Sequence, residues 1–221
     1  MILKPNFRKL VVEIDGVGTR SQAEQWLVDQ PESVRAVTSI TDGGVIIQGP
    51  VVKPGAFVDD TAQLIGGIII EPGCYVGPYA VLRLDENETL EPLVVGEESN
   101  IQDGAVVHST TQRIGRRVIV AHQAIVHGAQ VEDDVTIYIQ AVVDGGGTVI
   151  GQGSFLHQGS YVGKGIRVPR GRYVEPGRKV LTQSEANELP SVPEDLIQIY
   201  HHVIELNRAH VSRHSKSREL S

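Results

Sequence analysis

Large aliphatic residues recur every six positions through most of this chain, in five runs. The first is Val52, Val58, Leu64, Ile70, Val76 and Leu82. The second is Val95, Ile101 and Val107, the third Ile114, Val120 and Val126, and the fourth Val131, Ile137 and Val143. The fifth is Ile150, Leu156, Val162 and Val168. Two positions before many of them stands a small residue, as at Ala62, Cys74, Ala80, Ser99, Ala105, Ala124 and Ala141. A period of six suits neither an amphipathic helix nor an alternating strand. It predicts a parallel β-helix built of hexapeptides, with the large residue inside and the small one beside it at the corner. Pro54-Gly55 and Pro72-Gly73 supply the bends. Three hexads close one triangular coil, so about 18 residues return the chain to the same edge, ~4.8 Å higher.

The repeat slips at 83–94, 108–113, 127–130 and 144–149. Slips in a solenoid become loops, often on the binding face. Counting hexads around the triangle places Leu82, Val107, Val126 and Val143 on one edge, and the residue after each inward aliphatic points outward. Arg83, His108 and His127 therefore line an outer edge in successive coils. His122 follows Val120 by two positions and falls at a different corner.

The flanks have other patterns. Residues 1–49 lie outside the repeat and read as a small α/β cap on the open end. Strands are expected over Leu10–Ile14 and Ala36–Ile40 and a helix over Gln22–Asp29, with Val45–Gln48 leading into the first coil. The solenoid is expected over 50–180. Residues 181–221 read as a linker, a C-terminal helix from Glu194 and a polar, disordered tail beyond Ser212. Leu196, Ile199, Tyr200, Val203, Leu206 and His210 make a stripe at helical spacing that packs on the solenoid.

Composition narrows the partners. A net charge of −7 gives nucleic acid no electrostatic support. The single cysteine, Cys74, excludes an intrachain disulfide or a Cys-based zinc cluster and sits in a small-residue slot of the repeat. No apolar run reaches transmembrane length, and Met1–Leu10 lacks the apolar stretch of a signal peptide, so a cytoplasmic protein is expected.

The candidate chemistry is a metal site. His108 and His127, one coil apart, suit convergence on one ion at Zn–N distances of about 2.0–2.1 Å. His122 cannot reach it from the same chain, but a three-fold ring of identical subunits would bring it to a neighbour's His108 and His127. Three His ligands leave a position open for water, the pattern of a catalytic site. The bland alternative is a set of surface histidines, which is how His157, His201, His202, His210 and His214 are read. Another is an acyltransferase with one His as general base. Three histidines at these positions favour a metal over both.

The segments Arg83-Leu-Asp-Glu86, Ser99-Asn-Ile-Gln-Asp-Gly-Ala-Val-Val-His108 and Ala121-His-Gln-Ala-Ile-Val-His-Gly128 resemble the γ-class carbonic anhydrases. Gly171–Gly177 and Leu181–Pro190 continue the resemblance, which spans roughly 51–210 and leaves the N-terminal segment aside. It implies a mainly β, left-handed parallel β-helix, assembled as a homotrimer with metal sites between subunits. His108, His122 and His127 would be the ligands, for zinc or else ferrous iron or cobalt. Gln102 would orient the metal-bound hydroxide, Arg83 and Asp85 would form an interface ion pair, and Asn100 and Asp103 would support the site. Asn207 would help position carbon dioxide or bicarbonate. The implied activity is reversible hydration of carbon dioxide to bicarbonate by that hydroxide.

The chain departs from the family in one respect. Only thirteen residues separate His108 from His122, and they hold Arg113, Arg116 and Arg117 but no carboxylate. The acidic proton-shuttle loop of some members is missing, and the chain is also one residue shorter than the family between His127 and Val131. The acidic slip at 83–94 offers Glu86 for proton transfer instead. A non-catalytic assembly protein of the same fold, joining a larger complex through residues 1–49, is the second reading, and an acyltransferase the third.

Overall fold

The computed structural model describes residues 6–84, 90–108 and 113–219. Its body is a three-faced parallel β-helix. The inward aliphatics stack face by face. On the first face Val52, Ile70, Val95, Ile114, Val131, Ile150 and Val168 are in register. On the second face the column is Val58, Val76, Ile101, Val120, Ile137, Leu156 and Val174. On the third it is Leu64, Leu82, Val107, Val126, Val143, Val162 and Val180. These columns and the small corner residues form one continuous core. The six-residue period and the edge shared by Leu82, Val107, Val126 and Val143 both hold, and the coils continue past Val168 to Val180. Burial of this kind is worth roughly 1.5–3 kcal/mol for each aliphatic side chain.

The corners are closed by buried polar links. Ser99 Oγ donates to the Gly115 carbonyl at 2.8 Å and accepts from Val118 N–H at 3.0 Å. Cys74 Sγ donates to the Gly96 carbonyl at 3.0 Å, and burial pushes its thiol up to about 12. A thiol so protonated is packing, not a nucleophile.

The N-terminal segment departs from the sequence expectation in detail. Strands Leu10–Val12 and Thr38–Ile40 and helix α1 (Arg20–Val28) form near where they were expected. Ile46–Gln48 does not merely lead into the coil. It is the central strand of an antiparallel sheet, paired with both others. A second helix, α2 (Glu32–Val37), precedes Thr38, with Val34 and Val37 buried. Asn6–Arg8 leaves this unit and pairs in parallel with Gln63–Ile65, adding a strand to the third face. It covers the unpaired edge that the first coil would otherwise present. The Gln48 side chain donates to the Leu90 carbonyl at 3.0 Å and fastens the unit to the solenoid.

After the last coil, helix α3 (Gln183–Asn187) is started by a capping box between Thr182 and Glu185. Helix α4 (Glu194–Glu219) then runs back down the outside of the second face. Tyr200 meets the coil of Arg117, Asn207 that of Glu98, His210 that of Tyr75, and His214 stacks on Phe57. The helix extends beyond Ser212, where a disordered tail was expected. Its packed side overlaps the apolar stripe at Leu196, Tyr200, Val203 and His210 but is turned from it. Leu196, Ile204, Asn207 and Val211 are buried, while Ile199 and Leu206 are exposed. Docking turns the helix so that Tyr200, Val203 and Ile204 meet Ile119 and Ala121. Among the described residues no helix is long and apolar enough to cross a membrane.

Candidate metal centre

The third face ends in a ladder of polar side chains. Arg83, His108 and His127 follow Leu82, Val107 and Val126 and stand in register across three strands, Val81–Leu84, Val106–His108 and Ile125–His127. The rings of His108 and His127 stack with centroids 5.2 Å apart and planes 22° from parallel. Arg83 Nη2 lies 3.1 Å from His108 Nε2. A guanidinium only donates, so this Nε2 is the acceptor and its lone pair faces Arg83.

The fourth rung is Asp144, after Val143, and the sequence analysis did not single it out. His127 Nδ1 stands 3.3 Å from Asp144 Oδ1. The carboxylate also accepts from Gly145 N–H at 2.7 Å and from the Tyr161 hydroxyl at 3.0 Å. The Gly145 bond, then those from His127 and Tyr161, hold the Asp144 carboxyl below the usual carboxylate range. A carboxylate behind Nδ1 fixes the tautomer that leaves Nε2 free, the arrangement metal-binding histidines use. The signal that finds Asp144 is the rule that found the histidines, carried one coil further. Two glycines let the coils meet here. A Cβ on Gly128, at φ +62°, would lie 2.9 Å from Gly145 Cα, and one on Gly145 would lie 2.6 Å from the His127 carbonyl oxygen.

His122 occupies the opposite edge of this face, in the turn between Ile119–Val120 and Ile125–His127. Its Nδ1 is 3.7 Å from Asp103 Oδ2, one coil below. Gln102, beside Asp103, lines a cavity with His122, Tyr138 and Tyr200. The structure thus gathers Arg83, His108 and His127 at one edge and Gln102, Asp103 and His122 at the other. Within one copy, and among the described residues, no three His, Cys, Asp or Glu side chains come together as a metal cluster. Asn100 and Asn207 are buried, and Asn207 Nδ2 reaches the Glu98 carbonyl at 3.5 Å instead of lining the Gln102 cavity. Asp85 and Glu86 lie outside the described residues. The donor set suits a divalent metal, with three imidazoles, two of them near carboxylates, and no thiolate among them.

The other histidines are less idle than a surface reading allows. His157 sits among Tyr138, Phe155 and Tyr173 with centroids 5.3–6.0 Å away, and burial lowers its pKa. His201 and His202 are exposed.

No protein-family model matches the chain. It is 32% identical over 144 residues to the carbonic anhydrase of Methanosarcina thermophila, covering 55% of this chain and 57% of that protein. It is 33% identical over 103 residues to the carnitine operon protein CaiE of Escherichia coli, covering 45% of this chain and 50% of that one. The chain therefore spans about half the length of these curated relatives. Among solved structures, a hexapeptide transferase family protein from Anaplasma phagocytophilum superposes with a TM-score of 0.63 at 27% identity. That match covers 74% of this chain and 92% of the other.

Proposed function

We propose that this γ-carbonic-anhydrase-like hexapeptide-repeat chain catalyses the reversible hydration of carbon dioxide at metal sites shared between three copies. The observation that supports this reading best is the in-register ladder of Arg83, His108, His127 and Asp144, with His122 and Gln102 at the far edge of the same face. A three-fold ring joins one edge of each copy to the other edge of the next. His108, His127 and a neighbouring copy's His122 would then hold zinc, ferrous iron or cobalt. When bound, such an ion supplies acidity, lowering the pKa of a water to about 7.

The chain's own residues do the rest. Gln102 holds the attacking oxygen by a hydrogen bond, and Asp103 supports His122. Asp144 fixes His127, and Asn207 and Asn100 brace the coil beneath. With a metal held there, His108 Nε2 would face it instead of Arg83, which would pair with Asp85 across the interface. Glu86 carries the proton outward in place of the missing shuttle loop. Residues 1–49 close the solenoid end and offer a surface for a larger complex.

The test is stopped-flow hydration on anaerobically purified protein, with metal content measured on the same sample. Turnover is expected to rise with metal occupancy and with added imidazole as an external proton carrier. Full occupancy with hydration at the buffer rate would contradict the reading and favour the non-catalytic assembly role. The likeness to a hexapeptide transferase favours one further reading, acyl transfer. Binding of acyl-coenzyme A to the metal-free protein would support it.

A further inference from the structure

Two cavities lie side by side beneath α4. The inner one, about 170 Å³, has Gln102 and His122 at one end and Ile119, Ile139 and Val203 among its walls. The outer one, about 430 Å³, is bounded by Val192, Ile197 and His201. Thr136, Phe155 and Tyr200 line both. At this junction the Thr136 hydroxyl is buried, 3% exposed, and its oxygen has no hydrogen-bond partner. Buried hydroxyls are nearly always bonded, so an unpartnered one between two cavities marks a place where a small guest with an acceptor would be held. Tyr200 does not block the junction by swinging. Its hydroxyl is held by the Arg117 carbonyl and by Asp134 Oδ1, each at 3.0 Å.

We propose that the two cavities form one path under α4, by which a small uncharged molecule reaches the edge carrying Gln102 and His122. The identity of that molecule, carbon dioxide, rests on the function proposed above; the path does not. Carbon dioxide is linear, carries no charge and offers only weak acceptors, which suits an inner cavity walled in part by Ile119, Ile139, Phe155 and Val203. Bicarbonate would have to shed its hydration to enter.

The test fills the mouth. Ile197 is half-buried on the outer cavity, and its neighbour Gln198 is exposed. Ile197→Trp is compared with Gln198→Trp and the unmodified chain, each checked for metal content. Xenon, which enters apolar cavities, is the probe, located in pressurised crystals and followed by 129Xe exchange in solution. Xenon is expected in both cavities of the unmodified chain, with exchange into the inner one slowed in Ile197→Trp and unchanged in Gln198→Trp. Ile197→Trp is also expected to lower kcat/KM for hydration about fivefold at unchanged metal content. The value for dehydration should fall by the same factor, because the overall equilibrium is fixed.

No xenon in the unmodified chain would overturn the path, as would exchange and kcat/KM untouched by a tryptophan that fills the mouth. A metal-loaded but inactive unmodified chain would sink the carbonic anhydrase reading alone, and xenon exchange then decides the path by itself.

Discussion

Asp144 completes what Arg83, His108 and His127 begin, one side chain per coil at the same edge. Its value lies in geometry more than charge. It meets His127 Nδ1 at 3.3 Å while being anchored itself by Gly145 and Tyr161. Removing a carboxylate behind a ligating histidine weakens metal binding by roughly 10–100-fold. Asp144→Ala is expected to lower zinc affinity by that order, measured by chelator competition, while the chain stays folded. Affinity unchanged would mean that His127 is not held for a metal by this contact. Glycine matters at the same place, since Gly128 and Gly145 permit an approach that any Cβ would obstruct.

Each hexad is a short element paired only with the coils above and below. Helix α4 is different, because its side-chain hydrogen bonds to the coils tie residues 66 to 110 positions apart. They converge on three stacked turn residues, Glu98, Arg117 and Asp134, all non-glycine with φ between 53° and 62°. A left-handed residue costs roughly 1–2 kcal/mol, and here each side chain or carbonyl repays some of it by holding the helix. Arg208 grips Glu98 with two bonds of 2.9 Å, and Arg117 Nε donates to Asp134 at 2.7 Å.

Both carboxyls titrate below the usual range. For Glu98 the Arg208 hydrogen bond is the main cause. For Asp134 burial pushes upward, but the bonds from Arg117, Gln152 and Tyr200 outweigh it. Groups with depressed folded pKa values stabilise above their unfolded value of about 4 and lose that contribution as the pH falls through the lowered one. Amide exchange should therefore show α4 loosening in acid, below about pH 4, before the solenoid opens. Tyr200→Phe should weaken the helix by about 1 kcal/mol even at neutral pH. Uniform loss of protection across helix and coils would contradict this order.

At the scale of the molecule, the proposed function makes a single copy incomplete as a metal site, because its histidines stand at two edges. This gives an assembly test that needs no structure of the assembly. His108→Ala and His122→Ala should each lose metal and activity. Dissociated and reassembled together, they should recover roughly a quarter of the native sites, because each site draws its ligands from two adjoining copies. Recovery of none would place all three ligands in one chain, contrary to the edges they occupy. Coverage of the first coil by Asn6–Arg8 suits the same picture, since it leaves one less open edge for stray pairing.

The sequence by itself determined the β-helix, its inward columns and the edge that Arg83, His108 and His127 share. Each of these is a count of six carried from coil to coil, and parallel stacking converts that count directly into position. The same rule held Asp144, one rung beyond where it was applied. Only the tertiary structure decided which side of α4 is buried, how Ile46–Gln48 and Asn6–Arg8 pair, and that cavities lie under Tyr200. Those features depend on complementary surfaces brought together from distant parts of the chain, and no local period encodes such a fit.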